Sequence, residues 1–266
     1  MKAVLFIAIA AYVGICAFLW FAQERLIFLG APPDTPPTAP PGWRMERFDL
    51  EAPDGAKLEG YIARPPVERP AVVLYFGGNA EEATHHLKES ARLYGPRAVV
   101  AVNYRGYGRS TGKPGEAVLV ADALLAYDRL LARTDLDTGR IAVHGRSLGS
   151  GIAVALAGAR PVKALVLTTP FDSLTAVARG QYPWAPVGLL LRHRFDSIAR
   201  APELRHPVLV VSAAGDDVIP PAHADRLAAA WGGTVQALRL PHRGHNDLFL
   251  DPLYGPAIAA FLDRRL

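Results

Sequence analysis

The pentapeptide Gly145-Arg146-Ser147-Leu148-Gly149 is the strongest chemical signal in the chain. It lies between a short apolar run, residues 140–144, and a stretch rich in small residues, 148–159, so it reads as a tight turn from strand to helix. A turn of that kind lifts a serine oxygen above a sheet edge. It also places the oxygen at a helix N-terminus, where backbone N–H groups favour developing negative charge. A serine hydroxyl is a weak nucleophile at neutral pH and needs a base, and the base needs an orienting acid. Downstream, residues 208–212 run into Ala213-Ala214-Gly215-Asp216-Asp217-Val218-Ile219-Pro220, and residues 234–240 run into Pro241-His242-Arg243-Gly244-His245-Asn246-Asp247. Asp216 and Asp217 thus follow one expected strand, His242 and His245 another, and Asp172 follows a third that ends at residue 168. In a parallel sheet the strand C-termini share one edge, so groups this distant in sequence can meet there.

The elements that would position them form a regular series. Residues 44–50 and 57–63 alternate in polarity around Pro53-Asp54-Gly55 and predict an opening antiparallel hairpin. Residues 71–76, 98–102, 140–144, 163–168, 207–212 and 234–240 are short and mostly apolar, as buried parallel strands are. Helical patterns at 80–94, 116–132, 148–159, 222–231 and 254–266 fall between or after them, which predicts an α/β fold with a mostly parallel, doubly wound sheet. Residues 173–204 exceed a plain crossover and predict a short cap after the sixth expected strand. Its middle, Tyr182 to Leu191, is apolar, and Tyr182, Trp184 and Leu189 are the candidates to contact an acyl group there, the alternative being that Trp184 and the leucines pack the cap onto the sheet.

Composition narrows the partners. The 266 residues are 50% hydrophobic and 20% charged, enough for a sizeable core. The net charge of +4 comes without a long single-sign block, which argues against a nucleic-acid partner. Cys16 is the single cysteine, so no internal disulfide or multi-cysteine metal site forms, and no carboxylate spacing around His85 and His86 resembles a metal site. No metal or other cofactor is expected. Residues 3–22 carry no charge and match the length of a membrane-spanning helix, bounded by Lys2 and by Gln23-Glu24-Arg25. An uncleaved anchor over 1–28 is the expectation, with a cleaved signal or a buried helix as alternatives. Lys2 and the amino terminus favour a cytoplasmic N-terminus and hence a non-cytoplasmic body. Six prolines in residues 31–42 make 29–42 an expected extended linker, with a crust packed on the body as the alternative, leaving 43–266 as one domain.

Taken together, these features resemble serine hydrolases of the α/β-hydrolase superfamily, and in particular its small, membrane-anchored, cofactor-free, serine aminopeptidase-like branch. The likeness runs from Gln23-Glu24-Arg25-Leu26-Ile27-Phe28 to Gly244-His245-Asn246-Asp247. Leu74-Tyr75-Phe76-Gly77-Gly78-Asn79-Ala80 is similar to the branch's oxyanion loop, with Gly77 where histidine is usual. Asn103-Tyr104-Arg105-Gly106-Tyr107-Gly108-Arg109-Ser110 resembles the loop after the next strand, where Asp usually stands first. The resemblance implies Ser147 as nucleophile, Asp216 as acid, His245 as base, and the backbone N–H groups of Asn79 and Leu148 as oxyanion donors. Arg105 and Tyr107 would be loop scaffolding. The implied activity is cleavage of ester or thioester acyl bonds through an acyl-enzyme, as in a carboxylesterase, lipase or thioesterase, on a small-molecule or lipid acyl substrate. A peptidase, or a catalytically silent membrane-tethered binding module on the same fold, is the alternative.

Overall fold

The computed structural model describes residues 1–33 and 35–266, and Asp34, in the proline-rich stretch, lies outside them. The opening hairpin forms in two parts. β1 (Arg44–Arg47) pairs with β4 (Gly60–Arg64), and β2 (Leu50–Glu51) pairs with β3 (Lys57–Leu58), both antiparallel. Parallel pairing begins with β5 (Ala71–Phe76) and continues through β6 (Ala98–Val102), β7 (Asp137–Arg146), β8 (Ala164–Thr168), β9 (Val208–Ala213) and β10 (Val235–Leu240). The eight-stranded sheet has the order β1-β4-β6-β5-β7-β8-β9-β10, so the chain winds out from β5 in both directions.

Six consecutive apolar residues in β5 supply both faces of the sheet. Val72, Leu74 and Phe76 join the core under α3 (Glu116–Leu131), α4 (Leu148–Ala157) and α8 (Ala222–Ala230). Val73 and Tyr75 join the opposite core, under α2 (Ser90–Tyr94) and α9 (Tyr254–Asp263). Burial on both faces is why β5 lacks polar alternation. The helix expected over 80–94 is instead a 3₁₀ stretch, Ala83–Glu89, followed by the single turn of α2. Its first residues are drawn into the loop after β5, where Ala80 takes φ +55°.

The cap is α5 (Leu174–Gln181), α6 (Val187–Leu190), α7 (Ser197–Arg200) and a 3₁₀ turn, and it follows β8, the sixth expected strand once the hairpin is counted as two. α1 (Lys2–Ile27) is a single 26-residue helix, long and apolar enough to cross a membrane, with its most apolar window wholly unburied. Contact with the body starts before the expected boundary at 28/29. Gln23 and Phe28 are buried, the Gly108 N–H donates to Ala31 O at 2.8 Å, and Phe28 packs edge-on against His193 and Phe195.

Candidate active site

Ser147 is the hinge between β7 and α4, with φ +48° and ψ −115°. A non-glycine residue there stores about 1–3 kcal/mol of strain, which its surroundings must hold in place. The flanking glycines show how tight the turn is. A Cβ at Gly145 would lie 2.3 Å from Gly149 O, and one at Gly149 would lie 2.2 Å from Phe76 O. The Ser147 N–H donates to Thr168 O at 2.9 Å, and the Ser150 hydroxyl donates to Ser147 O at 2.6 Å, fixing both sides of the turn.

The loops after β9 and β10 bring the other two groups to the same sheet edge. His245 Nε2 lies 3.0 Å from Ser147 Oγ, and His245 Nδ1 lies 2.8 Å from Asp216 Oδ2. All three residues are buried. Asp216 Oδ1 accepts the N–H groups of Val218 (3.0 Å) and Ile219 (2.7 Å), leaving Oδ2 to the imidazole. This chain of hydrogen bonds can pass a proton from serine to histidine while the carboxylate holds the ring's tautomer.

The competing candidates lie elsewhere. Asp172 accepts from Arg226 and lies 2.7 Å from His223 Nδ1, a closed cluster away from His245. Burial works to raise its pKa, but His223 and Arg226 outweigh that and hold the carboxyl below its ordinary range. Asp217 and His242 are exposed. His85 is half-buried against Thr35 O, whereas His86 stacks on Tyr75 at 3.8 Å and reaches the Tyr94 hydroxyl at 2.7 Å. Burial lowers the His86 pKa to about 4. That contact extends through Tyr94 to His144 and Thr168, a buried polar chain inside the sheet layer. Among the described residues no group of three or more His, Cys, Asp or Glu is placed to hold a metal ion.

Sequence reasoning missed a clamp formed by Glu81 and Arg146. Glu81 Oε2 accepts the Gly78 N–H at 2.7 Å and Arg146 at 2.8 Å, and Oε1 accepts the Tyr75 hydroxyl at 2.6 Å. Arg146 also donates to Asn246 Oδ1 at 2.9 Å, so the turn carrying Ser147 is tied to the loops carrying Asn79 and His245. Burial opposes ionisation of Glu81, but Arg146, His86 and the two donors hold its pKa below the usual carboxyl range. The Tyr104 hydroxyl adds a bond to Gly77 O at 2.8 Å. Glu81 and Tyr104 thereby support the loop where Gly77 stands in place of histidine.

Asn79 is held by its side chain. Its Nδ2 donates to Ile27 O at 2.7 Å, and its Oδ1 accepts the Leu29 N–H (3.0 Å) and the Tyr107 hydroxyl (2.6 Å). Tyr107 is thus scaffolding, and so is Arg105, which is paired with Asp54 and with both oxygens of Asp122. Among the described residues no backbone–backbone bond engages the N–H of Asn79 or of Leu148, and the first residue of a helix has no intrahelical acceptor.

A cavity of about 280 Å³ opens beside Ser147, walled by Leu148, Phe171, Val177, Tyr182, Leu190 and Ile219 and, from α1, by Leu19, Gln23, Leu26 and Ile27. Among the described residues no charged side chain lines it. Of the three cap residues expected there, only Tyr182 is present. Trp184 stands outside, its carbonyl accepting the Tyr12 hydroxyl at 3.1 Å and its ring set edge-on to Tyr182, while Leu189 is 81% exposed on the outer surface. The cap is one layer thick, so its apolar residues divide between an inner and an outer face.

No family model matches the chain. It is 37% identical over 248 residues to an uncharacterised protein of Mycobacterium tuberculosis, covering 91% of this chain and 87% of the relative. It is 30% identical over 261 residues to the alpha/beta hydrolase domain-containing protein WAV2 of Arabidopsis thaliana, covering 88% and 84%. Protein bem46 of Schizosaccharomyces pombe is also 30% identical, with 92% and 87% covered. Among solved structures, the acetyl xylan esterase of Paenibacillus sp. R4 superposes with a TM-score of 0.69 at 20% identity, covering 85% of each chain. An esterase of Pyrococcus furiosus superposes at 0.68 and 16% identity, covering 89% and 97%. With the sheet order, the turn at Ser147 and relatives at this coverage, the chain belongs to the alpha/beta-hydrolase family.

Proposed function

We propose that this protein is a membrane-tethered serine hydrolase that cleaves carboxylic or thioesters through an acyl-enzyme on Ser147. The observation that carries the reading is the unbroken Ser147–His245–Asp216 chain, at 3.0 and 2.8 Å, opening onto an uncharged cavity. In this mechanism His245 takes the Ser147 proton as Oγ attacks the acyl carbonyl. Asp216 stabilises the imidazolium, and the N–H groups of Asn79 and Leu148 receive the oxyanion. His245 returns the proton to the leaving alcohol or thiol and then activates the water that releases the acid. An aminopeptidase would need an anionic partner for the substrate's amino terminus, and the apolar lining, which includes Tyr182, favours an acyl chain instead. A silent binding module has no use for a strained serine held at hydrogen-bond distance from a buried histidine. The helix α1 is proposed as an uncleaved anchor, because its last turns wall the cavity, with the body on the non-cytoplasmic side as Lys2 suggests. Hydrolysis of a panel of nitrophenyl esters, acyl thioesters and aminoacyl nitroanilides by the full chain and by Ser147→Ala tests the reading. Ester or thioester turnover that vanishes in the variant is expected, and turnover that survives it refutes the assignment.

A further inference from the structure

α1 supplies more to this site than attachment. Cys16, Leu19, Gln23 and Ile27 recur at helical spacing and, with Ala22 and Glu24 beside Gln23, are the less exposed positions of its second half, forming a stripe toward the cap. At the near end the stripe is clamped. The Gln23 amide donates to Leu190 O at 3.1 Å and accepts the Arg192 N–H at 2.8 Å, while Ile27 O is held by Asn79. Arg192 also pairs with Glu24 at 3.2 Å and lies over the Trp20 ring. At the far end Tyr12 meets Trp184. Tyr12 and Gln23 are eleven positions apart, about 16 Å along a helix at 1.5 Å per residue. The cap therefore runs beside the apolar part of α1, and Leu19, inside the uncharged run, is a wall of the cavity that holds Ser147. Where α1 enters a bilayer, the cap edge enters with it, exposing Tyr182, Trp184 and Leu189 to lipid.

We propose that the cavity between α1 and the cap binds the acyl chain of an ester resident in the bilayer, and that Leu19 sets how long a chain it accepts. The proposal rests on the serine-hydrolase reading. It follows from the lining, since a chain extending from Ser147 toward Leu19 passes from apolar cavity to lipid without crossing water. Away from Ser147 the amide side chains of the wall are engaged by the protein, Gln23 by Leu190 and Arg192 and Gln181 by Val218 O at 3.5 Å, and each methylene that gains the apolar wall improves kcat/KM by about fourfold.

The test uses the full chain in phosphatidylcholine vesicles, with nitrophenyl acetate, butyrate, octanoate and dodecanoate as probes. Leu19→Trp fills the wall from α1, and Val13→Trp, at an exposed position that does not line the cavity, is the control. The ratio of dodecanoate to acetate turnover should fall at least about tenfold in Leu19→Trp and stay unchanged in Val13→Trp. An unchanged ratio in Leu19→Trp, or an equal fall in both variants, overturns the α1 wall while leaving the hydrolase reading intact. Absence of turnover on every ester by the unmodified chain overturns the hydrolase reading itself, and this proposal with it.

Discussion

Glu81→Gln removes one negative charge from the junction of three loops and so isolates what the clamp contributes. The glutamine keeps Oε1 for the Tyr75 hydroxyl, but its amide nitrogen cannot accept from Gly78 N–H or from Arg146, now 2.7 and 2.8 Å from Oε2. Two bonds to a charged acceptor are worth about 1.5–3 kcal/mol each. Arg146 is 19% exposed and keeps Asn246, so much of its loss is recovered, and about 2–3 kcal/mol of stability should disappear. The kinetic effect follows from position. Gly78 precedes Asn79, whose N–H is the proposed oxyanion donor, and full loss of one such donor costs about 10²–10³ in kcat. Partial loosening should therefore lower kcat by about 10- to 100-fold, and KM should shift by less than about threefold because Glu81 is not part of the cavity wall. Steady-state kinetics on a short nitrophenyl ester, beside a urea melt, separates the two effects. An unchanged kcat with the stability loss present would show that the clamp holds the fold and has no part in aligning the oxyanion loop.

Three further outcomes follow from the geometry. Asp216→Asn should lower kcat by up to about 10⁴ through loss of the imidazole tautomer, while Asp172→Asn lowers the melting temperature with little kinetic effect and Asp217→Asn does neither; kinetics and melts of the three variants check this. Folded His86 binds a proton only near pH 4, against an ordinary value of 6.5, so the stability linked to its neutral form is complete above pH 6.5 and lost as pH falls toward 4. The wild type should thus lose up to about 2 kcal/mol more than His86→Phe between pH 7.5 and pH 5 in urea titrations, with His144, depressed by burial in the same sense, contributing equally to both. Trp184→Ala should leave the ester chain-length profile unchanged because the ring stands outside the cavity, and a flattened profile would place it inside.

Ser147, Asp216 and His245 were legible because each follows the end of a parallel strand, and a parallel sheet has only one C-terminal edge. Strands β5 to β9 were legible because burial on both faces leaves continuous apolar runs, whereas β10, at the sheet edge, keeps exposed Gln236 and Arg239 and was legible from its place in the series. The Glu81–Arg146 clamp was not, since Arg146 occupies a variable place in its motif and Glu81 reads as an acid opening a helix. Its meaning depends on Ala80 turning to positive φ, which a propensity for alanine does not suggest. Trp184 and Leu189 were placed in the site because the cap is apolar, yet composition does not say which face of a one-layer cap looks inward. Gln23 read as the polar limit of a membrane span, and its role as a clamp needs Leu190 and Arg192, more than 160 positions away.

The central claim is that Ser147 is the nucleophile, and covalent labelling tests it most directly. Full-length protein treated with a fluorophosphonate and analysed by intact mass and peptide mapping should carry one adduct, on Ser147, with matching loss of ester hydrolysis. Ser147→Ala should carry none. Protein that hydrolyses esters yet takes no label, or takes it at a residue other than Ser147, would contradict the account.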